Sequence, residues 1–296
     1  DELRQIFEDD IPPVIGPWKK PRILLYAHGG LVSQQAAVQR VAEYRKALLG
    51  AEVYPLAFIW HSDYWTTVTN ILQDAIRRKR PEGVLDAAKD FLLDRLDDAL
   101  EPLARVLTGK TAWSQMKENA LGASSTGHGA RLVLNHLADL LVKFPGLEIH
   151  IAAHSAGAIF HAPIVQLATS KGPIASGPMS GETGLGLKIA TCTLWAPACT
   201  MAVFVAAYLP AITSKSIGRF AMFVLDDKAE LDDNCANIYH KSLLYLVSNA
   251  FEEPARVPLV RDGVPILGMH KFIKANARVN SLFAGARRRR LFSGGL

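Results

Sequence analysis

The sequence predicts an α/β protein with a mainly parallel sheet flanked by helices, and three observations carry that prediction. Short apolar runs of the buried-strand type recur at 22–27, 52–60, 187–198, 220–225 and 264–269, with a β-branched run around Ile149 and Ile151. Helix-compatible segments separate most of them, at 33–50, 129–143, 158–167 and 236–251, and a further one follows at 271–283. A strand, a helix and a strand in that order need a crossover, so strands joined this way lie parallel. No internal repeat is visible, and residues 1–296 are expected to form a single domain.

Composition narrows the class. Apolar residues make up 49% of the chain, enough for a substantial core. No stretch reaches the ~18 unbroken apolar residues of a membrane span, so no transmembrane segment is expected. Val203–Ile212 is apolar but short and holds Pro210, which reads as buried or lid-like. Cys192, Cys199 and Cys235 are odd in number and lack metal-site spacing. Buried thiols, a reducing cytoplasmic compartment and no metal are the corresponding expectations. The chain begins at Asp1 rather than Met, which leaves room for a processed leader. Of the net charge of +5, four charges come from Arg287–Arg290, leaving about +1 elsewhere. That remainder is no footprint for a polyanion, so nucleic acid is not an expected partner, and the arginine run reads as a solvated tail.

The elements follow in order. Arg22–Ala27 ends at His28-Gly29-Gly30-Leu31. Ser33 can cap the next helix, with Val38, Val41, Tyr44 and Leu48 on its apolar side and Gly50 as its stop. Residues 62–126 then break the alternation: an aromatic entrance (Tyr64, Trp65), a basic run at Arg77–Arg80, and a long amphipathic helix near 84–107 bearing Asp94, Asp97 and Asp98. This is a helical insertion, readable as a cap over an active site or as helices that merely cover the sheet. Gly172–Gly186 has no periodicity and reads as a loop.

The chemistry concentrates at the end of the Ile149–Ile151 run, where Ala153-His154-Ser155-Ala156-Gly157 gives small-x-Ser-x-small before a helix. Small residues two before and two after the serine let strand and helix backbones approach, pushing its hydroxyl into the open. That is the nucleophile elbow of an α/β-hydrolase. Ser155 then needs an imidazole base, a carboxylate to orient it, and two N–H donors for the tetrahedral oxyanion. The donors are expected from Ala156 and from Gly30 or Leu31, because His28-Gly29-Gly30-Leu31 is of the His-Gly-Gly type that supplies the second donor in esterases and lipases.

The carboxylates after 220–225 offer the acid. Asp227 is the choice and Glu230 the alternative, with Asp232 or Asp233 better placed to cap a helix. In this fold the base usually follows the last strand, which points to His270 after 264–269; His240, on the helix with Leu243, Leu244 and Val247, is the alternative. His28, Trp60, His61 and His154 are expected to line or support the substrate pocket, and Phe204 and Tyr208 to lie near its mouth.

With these motifs in place, the chain resembles a group of bacterial, largely uncharacterised serine hydrolases of the α/β-hydrolase superfamily. The stretches carrying the resemblance are His28–Leu31, Phe58–His61, Ala153–Gly157, Trp195–Ala198, Ser242–Ser248 and Leu267–Met269. It implies esterase- or lipase-like hydrolysis of a small-molecule ester by a Ser–His–acid triad, without a cofactor. One departure stands out: several such relatives continue past the last strand to a His-Gly-Gly-Phe-Asp segment that looks like the triad histidine, and this chain has no histidine beyond His270. A non-catalytic α/β-hydrolase-like binding protein, lacking a competent histidine, is therefore the second expectation.

Overall fold

A computed structural model describes residues 2–30, 33–60, 69–70, 73–74, 89–235, 238–284 and 289–294. Its centre is a six-stranded sheet in the order β2-β1-β3-β6-β7-β8, every neighbouring pair parallel. The strands are β1 (Arg22–Ala27), β2 (Val53–Phe58), β3 (Glu148–His154), β6 (Ile189–Trp195), β7 (Ile217–Leu225) and β8 (Arg289–Gly294); β4 (Lys171–Pro173) and β5 (Thr183–Leu185) form a separate antiparallel pair. Helices pack on the sheet, so the interior strands are apolar on more than one face: Ile149, Ile151, Ala152 and Ala153 of β3 are all buried. The Gly157–Thr169 helix is buried along its whole length, as an almost entirely apolar segment must be.

Several sequence expectations are corrected. Residues 264–269 form no strand; Ile266 makes only an isolated bridge to Thr200. The sixth strand is instead β8, in the arginine-rich tail, paired from Phe220↔Arg289 to Leu225↔Gly294. Charge at an edge strand does not oppose backbone pairing, and a charged run is a common edge device. The 236–251 helix begins only at Leu243, capped by the Ser242 hydroxyl, and finishes as a π-helical turn over Val247–Phe251. The expected loop at 172–186 contains the β4–β5 pair. Val38 and Tyr44 are exposed, because the Gln34–Gly50 helix lies at the sheet edge against β2 and buries only Ala37. Phe204 and Tyr208 lie in the core, not at a mouth, with the Tyr208 hydroxyl donating to Ala158 O at 2.7 Å.

The described part of 62–126 is helical, chiefly Lys89–Ala104 and Lys110–Gly122. Trp113, Met116 and Ala120 enter the main core, so the insertion is packed into the body. Cys192, Cys199 and Cys235 are buried free thiols. No helix among the described residues is long and apolar enough to cross a membrane.

Candidate active site

Strand register assembles the site. Ala27 pairs with Ala153 and His154 pairs with Trp195, so β1, β3 and β6 end side by side. The residues just beyond them, His28-Gly29, Ser155 and Ala196-Pro197, therefore meet at one edge of the sheet.

Ser155 sits at φ +51°, in the left-handed region, between β3 and the Gly157–Thr169 helix. That conformation costs a non-glycine residue ~1–2 kcal/mol, and here the surrounding backbone enforces it. Its N–H donates to Trp195 O at 2.9 Å, while its carbonyl accepts from Ala198 N–H at 3.0 Å and Ala158 N–H at 3.1 Å. Both sides of the bend are thus tied to the exit of β6. The side chain is half-buried, and among the described residues its hydroxyl has no hydrogen-bond partner.

Close approach explains the small residues around it. A Cβ on Gly157 would stand 2.3 Å from Ala27 O, and one on Gly29 would stand 3.2 Å from Ser155 Cβ and 2.8 Å from His154 Nδ1. One on Gly30 would stand 3.3 Å from Ala156 Cβ and 3.2 Å from Met116 Sδ. The His-Gly-Gly loop therefore rests directly on the bend. Neither the Gly30 nor the Ala156 N–H donates to a protein acceptor among the described residues. Both amides are open, and that of Ala156 lies at a helix N-terminus, where backbone N–H groups favour negative charge. Leu31 and His61 lie outside the described residues, as do Tyr64 and Trp65.

His28 is buried. Its Nε2 accepts from Trp60 N–H at 3.4 Å, so Nδ1 carries the proton and donates to Gly29 O at 2.9 Å. Burial lowers its pKa. Trp60 completes the brace, its indole N–H donating to His28 O at 3.2 Å. Behind Trp60 and Phe160 lies a cavity of about 320 Å³ with apolar walls that include Phe7, Leu56, Phe58 and Val133. His154 keeps an exposed face beside Gly29, and desolvation lowers its pKa as well. His161 is buried against Phe58 and Phe160, which pushes its pKa down to about 3.

The carboxylates divide by role. Asp226 caps the Asp227–Asp232 helix by accepting Ala229 N–H at 2.8 Å. Asp227 pairs with Lys274. Glu230 is buried and accepts the Ser242 hydroxyl; burial, reinforced by Asp233 and Asp227, lifts its pKa to about 7 against the lowering effect of that hydrogen bond.

The histidines are placed differently from the strand-order argument. His270 opens the His270–Ala275 helix between β7 and β8, so it does not follow the last strand. The residues just before it pack on the loop that follows β6. Gly268 N–H donates to Pro197 O at 2.8 Å, Leu267 N–H donates to Cys199 O at 2.9 Å, and a Cβ on Gly268 would stand 3.0 Å from Ala196 C. His270 and Lys274, the partner of Asp227, are four residues apart on one helix and share a face.

His240 lies in a bend before the Leu243 helix. Its Nδ1 is 3.2 Å from Asp97 Oδ1, and its backbone N–H also reaches that carboxylate. Asp97 has no exposed surface; burial raises its pKa despite these hydrogen bonds. The sequence reading missed this partner, although Asp97 and Glu101 occupy the buried stripe of their helix with Leu100 and Ala104, where a carboxylate needs a reason. Lys274 and Met116, the contacts of Asp227 and Gly30, carried no comparable signal.

No family model, curated protein or solved structure matches the chain. The site is read from its own geometry.

Proposed function

We propose that the chain is an α/β-hydrolase that cleaves carboxylic esters through an acyl-enzyme on Ser155. The observation that carries this reading is the strained Ser155 bend with the open Gly30 and Ala156 amides beside it. A sheet in which the serine strand β3 lies between the His-Gly-Gly strand β1 and the strands leading to the acidic loop supports the same reading. Ser155 Oγ attacks the ester carbonyl while an imidazole takes its proton. The two amides receive the charge that develops on the carbonyl oxygen, a contribution of about 10²–10³ in rate for one such donor. The imidazolium protonates the leaving alcohol, and water attacks the acyl-enzyme by the reverse path.

His270 is the base in this reading and Asp227 its orienting acid, once the carboxylate exchanges Lys274 for the imidazole. A second reading assigns the base to His240 with Asp97, favoured by the imidazole–carboxylate contact that this pair already makes.

The test is labelling of Ser155 by a fluorophosphonate, read by peptide mass, together with p-nitrophenyl ester turnover. The expected result is one phosphonate on Ser155, turnover lost in proportion to labelling, and both abolished in Ser155→Ala. A protein that neither labels nor turns over ester is the non-catalytic binding protein instead.

A further inference from the structure

Residues 257–261 form a tight turn closed on itself. Val257 N–H donates to Arg261 O at 2.9 Å, and Val257 O accepts from Val260 N–H at 3.0 Å and Arg261 N–H at 2.8 Å. Both stems are clamped to one short stretch of the body: Arg256 N–H donates to Asn249 O at 2.8 Å, and Val264 N–H to Ser248 O at 2.9 Å. A Cβ on Gly263, at the foot of the turn, would stand 2.4 Å from Asn249 Oδ1. The turn is therefore rigidly mounted.

Its tip breaks two rules at once. Leu259 is at φ +63°, a conformation suited to glycine or asparagine, and its side chain is fully exposed. Val260 beside it is exposed over 81% of its surface, and Val257 over 41%. A leucine held in strained backbone only to meet water stabilises nothing within the chain, so the gain lies outside it.

We propose that this turn is an anchor for a lipid surface, with Leu259 and Val260 entering the headgroup–acyl boundary. Three features favour lipid over a protein partner. The tip is a convex aliphatic wedge rather than a groove. Its N–H groups are largely accounted for: Val257, Val260 and Arg261 N–H are bonded inside the turn and Pro258 has none, which leaves the Leu259 N–H and the carbonyls of Pro258, Leu259 and Val260 to be met by interfacial water and headgroups. Its charge is balanced, because Arg261 is followed by Asp262 and its guanidinium is spent on Ala255 O at 2.9 and 2.5 Å. Attachment is thus apolar and insensitive to salt. The inference stands apart from ester hydrolysis and is read without activity.

The experiment is co-flotation of the whole chain with phosphatidylcholine vesicles, alone and with phosphatidylglycerol, at low and high salt. The expected result is flotation with both compositions, unchanged by salt, and about tenfold weaker for Leu259→Asp/Val260→Asp at an unchanged far-UV dichroism spectrum and urea midpoint. Leu259→Gly separates anchoring from folding: relief of the strain raises its urea midpoint while its flotation falls. The proposal is overturned by wild-type protein that stays in the aqueous fraction. Flotation that needs anionic lipid and vanishes with salt, or variants that float as the wild type does, overturn it equally.

Discussion

Gly157 shows how little freedom a single position near Ser155 has. The atom that its missing Cβ would meet, Ala27 O at 2.3 Å, is backbone of a central strand and cannot swing aside. Gly157→Ala is therefore expected to lose ~3 kcal/mol of stability by overpacking, read as a lower urea midpoint. Gly146→Ala, where nothing lies within 4 Å, serves as the control. Glu230 makes a different argument at the same scale. Its folded pKa of about 7 lies above the ordinary carboxylate value of 4.5, so folding takes up a proton between those limits. Stability then falls as pH rises from about 4.5 to 7 and is flat above, by at most ~3 kcal/mol for such a shift. Glu230→Gln keeps an acceptor for the Ser242 hydroxyl and removes the charge. Urea midpoints of wild type and variant are expected to agree near pH 4.5 and to diverge by pH 8, with the variant higher; a constant difference across that range refutes the assignment.

At the scale of elements, the two imidazole–carboxylate readings sit on different pieces of the fold. His270 and Lys274 share the helix that faces Asp227, whereas His240 belongs to the bend held by Asp97 of the inserted Lys89–Ala104 helix. Turnover by His270→Ala and His240→Ala separates them. The expected outcome is a loss of about 10³-fold or more for His270→Ala and less than tenfold for His240→Ala. Added imidazole is expected to restore part of the first. The reverse pattern moves the base to His240 and makes Asp97 its orienting acid.

The same elements mark what could be read from sequence. β1, β3, β6 and β7 were legible because buried parallel strands are short apolar runs and their ends carry recognisable turn chemistry. β8 was not, since the pairing of Arg289–Gly294 is a backbone event that a charge run does not advertise. Residues 264–269 misled for the opposite reason. Val264, Ile266, Leu267 and Met269 are apolar because the segment lies flat over the Ala196–Cys199 loop, not because it pairs with a strand. The tight bend at Ser155 and the close approach of the Gly29-Gly30 loop were legible from spacing, whereas the Asp97–His240 contact joins residues 143 apart and has no local trace.

Across the whole molecule, the insertion and the body are joined by buried charge. Glu101 accepts the Tyr239 hydroxyl at 2.8 Å, Asn249 Nδ2 at 2.7 Å and Arg256 Nη1 at 3.1 Å. Nearby, Glu252 accepts Trp113 Nε1 at 2.6 Å and Lys117 Nζ at 2.7 Å. Every one of these bonds crosses between the inserted helices and the segment 239–256, and Glu101 and Glu252 are themselves buried. An inserted unit that hinged freely would leave these carboxylates and their donors unsatisfied in a dry interior, which is costly. The two parts are therefore expected to unfold together. Glu101→Ala strands a tyrosine hydroxyl and an amide at once and leaves the Arg256 guanidinium with Asp98 alone, and breaking such a buried cluster from one side costs about 3–5 kcal/mol. Far-UV circular dichroism and tryptophan fluorescence, the latter reporting in part on Trp113, are expected to give coincident urea transitions in the wild type. Glu101→Ala shifts both midpoints downward together. If fluorescence moves while the dichroism transition stays in place, the insertion unfolds on its own, and the bonds through Glu101 and Glu252 do not couple it to the sheet.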